Sequence, residues 1–351
     1  MKGKRGLHRE TQVTLKAVAE HLGLTPGTVS AVLNNSAASR SIPERTRSRI
    51  IEAARQLNYR PNFMARSLRV QRTYTVGVIL EEIGDGYGST IVSGVEEYLR
   101  ERNYFFLTVA HRHDAQLLET YSEMLLSRGV EGFLTVDTIL TKVPSLPTVA
   151  VAGHRTLDNV TNIVLDHRHA AVLALRHLKD LGHEEIAFLK GQPESADSGV
   201  RWDAICEVAN ELGIKICENR VVQLTGLDST PEIGYPFGKE LLARQVPFTA
   251  LFAYNDISGI GAMRAFQEAG LRVPEDVSVV GFDDIAHASF CIPGLTTVRQ
   301  PLKKMGRIAA ESLLSRLEDY AEVQKEIAVE PELVIRKSTA PAPSEIKTIG
   351  K

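Results

Sequence analysis

The densest run of side chains able to hold a metal or move a proton is His111-Arg112-His113-Asp114. Two histidines and an aspartate in four residues are transition-metal ligands. Residues around a strand end face different ways, however, and no partner cluster accompanies them, so no metal site is expected there. Cys206, Cys217 and Cys291 form an odd set with no C-x-x-C spacing. They read as small buried side chains of a reducing cytosol. Gly84-Asp85-Gly86-Tyr87-Gly88 is a glycine-rich loop and nothing more specific. No GxGxxG follows the first strand, and neither GxxxxGK[ST] nor GxSxG occurs. No nucleophile is paired with a base. These absences argue against an enzyme and imply no cofactor.

A different chemistry is written into the first 72 residues. They carry 14 Lys+Arg against 4 Asp+Glu, while the remainder carries 27 against 39. A basic head on an acidic body is what a nucleic-acid contact surface produces, because cationic side chains displace the counterions condensed on phosphates. The elements of this basic head are legible. In TLKAVAEHLGLTPGTVSAVL (14–33), Leu15, Val18, Ala19 and Leu22 recur at helical spacing. Gly23 stands where a left-handed residue ends a helix. Thr25 supplies the next N-cap and Pro26 the first helical position. Val29, Val32 and Leu33 form the stripe of the second helix. Two short helices about a glycine-containing turn make a helix-turn-helix, whose second helix fits a major groove. Pro43 opens a third helix with Ile50, Ala53, Ala54 and Leu57 inward.

With Asn58-Tyr59-Arg60-Pro61-Asn62 and the ARSLR stretch before TVGVIL, the chain resembles the lactose-repressor/galactose-repressor family of bacterial transcriptional regulators. The resemblance runs over about residues 13–340. It includes LKDLGHEEIAFLKG, FAYNDISGIGAMRAFQEAGLRVPEDVSVVGFDD, PGLTTVRQPLKKMGRIAAESLL and PELVIRKST. It implies a hinge helix folding on the operator's minor groove, with Leu68 as the wedge and Asn62, Ala65 and Arg66 beside it. Two departures stand out. The position after TVS, usually arginine, is Ala31, and the two reader positions opening the second helix are Pro26 and Gly27. These three sites offer no bidentate base reading. Thr28 brings a methyl and a hydroxyl, and Thr14 and Ser30 suit phosphates. Leu15, Asn34 and Thr46 complete the expected DNA-facing set. Specificity is therefore expected to lean on the hinge and on DNA deformability. The loop 34–41 is longer than in the lactose repressor, so no contact is carried over to it.

From Thr75 onward buried strands alternate with amphipathic helices, the pattern of parallel sheets with right-handed crossovers. Strands are expected at TVGVIL, YFFLTVA, GFLTV, PTVAVAG, NIVLD, EIAFLKG, VVQL, ALFAYN and SVVGFDD. That number calls for two Rossmann-like lobes. The expected fold is a small all-α helix-turn-helix domain with a hinge helix, followed by a two-lobed α/β body like that of periplasmic binding proteins. The boundaries are 1–60 for the headpiece, 61–72 for the hinge, 73–338 for the body and 339–351 for a flexible tail. By family analogy, lobe 1 takes about 73–165 and 301–325, and lobe 2 about 166–300 and 326–338.

In such sheets a ligand sits beyond the carboxyl ends of the strands. Asp85, Tyr87, His111, Gly153, Arg201, Asn255, Asp283 and Gln300 occupy those ends, with Trp202 next to Arg201. The resemblance gives Arg201, Asp283 and Asn255 to the effector. An Arg–Asp pair suits a hydroxyl-rich or carboxylate-bearing ligand. After the first strand the family often has Asn-Pro-Phe-Phe where this chain has Asp85-Gly86-Tyr87-Gly88, and Ser229 stands near the place of a stacking aromatic. The function implied is a cytoplasmic regulator, most simply a repressor. It would bind a palindromic operator as a dimer (a tetramer is also compatible) and answer to a small molecule, a sugar or sugar derivative. An activator of the same family is the alternative, and a solute-binding protein the rival from another class. There is no apolar run of about 18 residues for a membrane span and no apolar h-region for a secretory signal.

Overall fold

The computed structural model describes residues 13–61, 67–68, 70–84, 86–226, 230–318 and 324–346. The chain divides into two compact units, Met1–Arg72 and Thr73–Lys351.

In the first unit, helices α1 (Leu15–Leu22), α2 (Pro26–Leu33) and α3 (Glu44–Gln56) follow the expected signals. Thr14 caps α1 by accepting the N–H of Ala17, and Thr25 caps α2 by accepting that of Thr28, both at 3.2 Å. Gly23 lies at φ 65°, a left-handed position that favours a residue without Cβ. Val18, Ala19, Val29, Val32 and Ile50 close a small core, with Leu15, Leu22, Leu33, Leu57 and Tyr59 packed around it. The long loop contains a 3-10 turn, Ala37–Ser41, whose Ser39 is buried. Beyond Pro61, Ser67, Leu68 and Val70 are helical, and Leu68 is 79% exposed.

The second unit holds two six-stranded sheets. The first contains β1 (Thr75–Leu80), β2 (Phe105–Ala110), β3 (Phe133–Val136), β4 (Thr148–Val151), β5 (Val160–Leu165) and β11 (Glu326–Val329), in the order β11-β5-β4-β3-β1-β2. The second contains β6 (Ile186–Lys190), β7 (Val221–Gln223), β8 (Ala250–Phe252), β9 (Ser278–Asp283), β10 (Thr296–Arg299) and β12 (Glu332–Val334), in the order β12-β10-β9-β8-β6-β7. All pairs are parallel except β10–β12. The apolar runs sit mid-sheet because helices cover both faces, as parallel sheets require. Lobe 1 is flanked by α4 (Tyr87–Glu101), α5 (Ala115–Ser127) and α11 (Leu302–Leu317). Lobe 2 carries α6 (His167–Asp180), α7 (Ala196–Glu211), α8 (Gly234–Ala243), α9 (Asp256–Glu268) and the short α10 (Ala286–Phe290).

All nine expected strands are present, while β10, β11 and β12 were not singled out as such. Two boundaries are corrected. Residues 326–329 were expected in lobe 2, but Glu326–Val329 pairs with Asn162–Leu165 and so completes the sheet of lobe 1. The chain crosses between lobes after β5, after β10 and between β11 and β12. Residues 339–351 were expected to be a flexible tail, but residues up to Ala342 are pinned to lobe 2. Ser338 accepts the N–H of Thr296 and donates to the carbonyl of Val279. The Ala340 carbonyl accepts from buried His183, and the Ala342 N–H donates to Leu181. Such bonds in a dry setting fix backbone that composition alone reads as loose. No helix among the described residues is long and apolar enough to cross a membrane.

Candidate ligand-binding cleft

In each sheet the strand order reverses beside the first strand of the lobe, between β1 and β3 and between β6 and β8. A crevice opens at such a switch point, at the carboxyl ends of the strands. The residues just past those ends meet across one cleft: Glu81 after β1, Asp137 after β3, Gln192 after β6, Tyr254 and Asn255 after β8, and Asp283 closing β9. Tyr87 from the start of α4 and Ser195, Asp197 and Arg201 from α7 and its cap complete the polar wall; Leu224, Ile233 and Ile257 supply apolar surface. The cleft encloses about 640 Å³, its open mouth included, within the range of small-ligand sites.

Arg201 is buried at 4% exposure. Its Nη1 donates to the Tyr254 carbonyl at 2.7 Å and its Nη2 to Asp197 Oδ2 at 2.9 Å. The guanidinium carbon lies 3.8 Å from the centre of the Phe282 ring and 4.5 Å from that of Tyr254. Burial works against its charge, and the fields of Tyr254, Asp197 and Asp283 more than restore it. Only Nε lacks a partner. Two of its five N–H groups are thus spent inside the protein, and Nε and one N–H on each terminal nitrogen remain. Asp197 Oδ1 accepts from His154 Nε2 at 2.6 Å and His167 Nε2 at 3.2 Å. Burial raises the Asp197 pKa, but His167, His154 and Arg201 outweigh it and hold the carboxyl well below the usual range. Asp137 reaches across to lobe 2, accepting the Ala196 N–H at 2.7 Å and the Ser195 hydroxyl at 3.0 Å. Burial and the neighbouring Glu81 push Asp137 well above the carboxylate range. Glu81 itself is held low, because its bond to His113 overcomes its burial. Of the two carboxyls, Asp137 keeps the proton. Asp283 accepts from Gln300 Nε2 at 2.7 Å, and Asn255 forms a capping box with Ser258 at the start of α9. Burial keeps Tyr87 neutral, and its hydroxyl has no partner.

Of the expected effector residues, Tyr87, Arg201, Asn255 and Asp283 meet in the cleft. Three are corrected. His111 is buried against Thr138 at 3.1 Å, with its pKa lowered by burial. Trp202 turns its edge to Phe188, and Gln300 stands behind Asp283. None of the three lines the cleft. Asp85 and Ser229 lie outside the described residues, as do Asn62, Ala65 and Arg66 of the hinge. Gly153 lines a separate cavity beside His154. The run His111–Asp114 spends its side chains separately, on Thr138, on Glu81 and on the cap of α5. The three cysteines are free thiols, half-buried rather than buried. Glu81, Asp137, Gln192, Ser195, Asp197 and Tyr254 went unnoticed. The strand-end rule applied to TVGVIL, FLTV and ALFA points to three of them.

In the headpiece, Pro26 and Gly27 are exposed at the start of α2, and Ala31 and Thr28 are half-buried, Thr28 bonded to Thr25. Asn34 Nδ2 donates to the Ser30 carbonyl and hydroxyl, so these two side chains tie each other. Thr14 is exposed and Thr46 half-buried on α3. Leu15, expected to face DNA, packs its side chain on the headpiece core instead.

Comparison with known proteins agrees with both units. Residues 14–62 match the family described as bacterial regulatory proteins, lacI family, and residues 175–339 match a periplasmic binding protein-like domain. Over 334 residues the chain is 33% identical to the HTH-type transcriptional repressor PurR of Pasteurella multocida, covering 93% of this chain and 98% of that one. The chain belongs to the lacI family of bacterial regulatory proteins. Among solved structures, the lac repressor dimer bound to operator and the anti-inducer ONPF superimposes with a TM-score of 0.84 at 27% identity, over 94% of this chain and 99% of that one. The transcriptional regulator CelR in complex with cellobiose does so at 0.70 and 28%, over 93% and 100%. This lacI-family chain is thus a DNA-binding transcriptional repressor and not an enzyme.

Proposed function

We propose that this repressor binds a palindromic operator in the cytoplasm as a homodimer, and that a sugar or sugar derivative in the cleft sets its operator affinity. The observation that carries the effector reading is the cleft itself: Tyr87, Arg201, Asn255 and Asp283 converge at the switch point of both sheets, with apolar surface from Leu224, Ile233 and Ile257. Hydroxyl groups match this wall. The carboxyls of Glu81, Asp197 and Asp283 offer acceptors, Asp137 with its proton can also donate, and the one guanidinium already spends two of its N–H groups on Tyr254 and Asp197. A phosphate or carboxylate would meet repulsion there, so the effector is neutral or amine-bearing. The cellobiose complex of CelR, a relative in fold, supports a carbohydrate.

On the DNA side, the exposed, helical Leu68 supports a hinge wedge. With Pro26, Gly27 and Ala31 at reader positions, indirect readout carries much of the specificity. Effector and operator are coupled by about 1–3 kcal/mol, and the coupling is reciprocal.

The test is operator binding across a salt series, with and without a panel of neutral, amino and phosphorylated sugars. One neutral or amino sugar is expected to shift affinity in the wild type. Arg201→Ala, although destabilised by roughly 3 kcal/mol through loss of a buried ion pair, is expected to bind operator without responding. An unchanged response in that variant would remove Arg201 from the effector site. Response to a phosphorylated sugar alone would overturn the ligand class.

A further inference from the structure

Beside the cleft, three potential metal ligands from different parts of the body converge. His154 follows β4 in lobe 1, His167 opens α6 just after the chain has crossed into lobe 2, and Asp197 lies in the first turn of α7. His154 Nε2, His167 Nε2 and a carboxylate oxygen of Asp197 lie within 4.8 Å of one another. His167 and Asp197 are buried, and His154 is half-buried. We propose that this triad binds a divalent transition-metal ion of the zinc, cobalt or nickel type, and that the ion staples lobe 1 to lobe 2.

The donor set fits that class. Two imidazoles and one carboxylate suit a borderline ion, whereas hard ions such as Mg²⁺ and Ca²⁺ prefer all-oxygen sets. Tetrahedral coordination at 2.0–2.2 Å places ligand atoms roughly 3.3 Å apart. The present separations from Asp197 Oδ1, 2.6 and 3.2 Å, lie near that spacing, and all three ligand atoms lie within 4.8 Å of one another. Outer contacts prepare the site. Arg201 Nη2 holds Asp197 Oδ2, which fixes the carboxylate and leaves Oδ1 to the imidazoles.

The second observation is the other nitrogen of His167. Its Nδ1 is buried and has no partner. With no partner at Nδ1, the ring is held by side-chain hydrogen bonding only through Nε2, the atom that faces Asp197. Access is also present. His154 lines a separate cavity with Gly153, Arg155 and Asn162, about 590 Å³ with its mouth, so one ligand of the triad borders open space. Because Asp197 also grips Arg201, an ion here bears on the lobe angle and on the effector wall together.

The experiment uses the full chain stripped with chelator, without DNA or sugar, so its outcome is independent of the effector reading. Zn²⁺ is titrated calorimetrically and Co²⁺ by its tetrahedral visible absorption. The wild type is expected to take one ion per chain with a rise in Tm. His154→Gln and His167→Gln, each checked for folding by circular dichroism, are expected to lose at least the 10–100-fold in affinity that even an outer-shell partner is worth. His169→Ala disrupts the exposed cluster of Asp166, His169 and Glu330 and is expected to leave Zn²⁺ affinity and the Co²⁺ spectrum intact. Any of three results overturns the proposal: no stoichiometric ion in the wild type, equal affinity in His154→Gln, or loss of the ion with His169→Ala.

Discussion

Asp256 is sealed from solvent at the start of α9, where it accepts the Thr297 hydroxyl at 2.5 Å and the Ile285 N–H at 2.9 Å. Burial, and then the nearby Asp283, push its pKa well above the usual range despite those bonds. A carboxyl whose folded pKa is raised holds its proton longer in the folded state. Its contribution to stability is full below about pH 4 and is lost as pH rises through the raised folded value. Asp256→Asn keeps the shape and can satisfy both partners, accepting from Ile285 and donating to a turned Thr297 hydroxyl. The urea midpoint of this variant is expected to exceed the wild type's by a margin that widens from about pH 4 upward. Parallel curves would show that Asp256 is ionised in the fold. Residues of this kind mark the limit of what the sequence discloses. Tyr87, Arg201, Asn255 and Asp283 could be assigned because motifs and strand ends announce them. Asp197 could not, since its importance comes from His154 and His167, 43 and 30 positions away. His111 and Gln300 lie at strand ends yet outside the cleft lining, because a strand end fixes where a residue sits but not which way its side chain turns.

At the level of elements, α4 and α11 cross so closely that each presents a glycine to the other's backbone. A Cβ on Gly94 would stand 2.0 Å from the Lys303 carbonyl oxygen, and one on Gly306 equally close to that of Ile91. Backbone cannot yield as a side-chain tip does. Gly94→Ala or Gly306→Ala is therefore expected to cost at least the 1–3 kcal/mol typical of overpacking, read as a fall in urea midpoint. Gly199, exposed in α7 with nothing within 4 Å of a built Cβ, makes the opposite case. Gly199→Ala is expected to stabilise by about 0.5–1 kcal/mol through helix propensity alone. If both substitutions moved stability the same way, the close crossing of α4 and α11 would be wrong. In the headpiece, Ala31→Arg on α2 is expected to shift the preferred operator sequence, since it adds a base-reading group where the chain has none. Tighter binding with unchanged preference would refute the reliance on hinge and deformability. The elements themselves were legible wherever period and punctuation agree, as in α1, α2 and the strands with unbroken apolar runs. Two of the four edge strands were not: β11 reads EIAV and β12 ELV, too short and too polar to signal, and their sheet membership depends on chain crossings that no local pattern encodes.

The whole molecule leaves one feature unexplained by either unit alone. Phe290 is 85% exposed, Ile292 89% and Ile335 62%. The first two flank the end of α10, and Ile335 follows β12 on the edge of the same sheet. The segments are tied together, since Lys337 donates to the Gly294 carbonyl and Arg336 to that of Leu295. Apolar side chains exposed on a lobe surface mark an interaction site, and for the palindromic operator proposed above the economical occupant is a second copy related by a two-fold axis. Phe290→Asp combined with Ile292→Asp is then expected to yield a folded monomer by sedimentation equilibrium. Two headpieces on one dimer gain from effective concentration, so their separation should weaken operator binding by about 10²–10⁴-fold. The slope of log affinity against log salt should fall towards half, because half as many phosphates are neutralised in each binding event. The two readouts together discriminate causes. A monomer with the full salt slope would mean that dimerisation is not what brings the second headpiece to DNA, whereas a persistent dimer would place the interface on another face of the body. A monomer with both the affinity and the slope reduced would tie the charge surplus of the head, its helix-turn-helix and the apolar edge of lobe 2 to a single act of recognition.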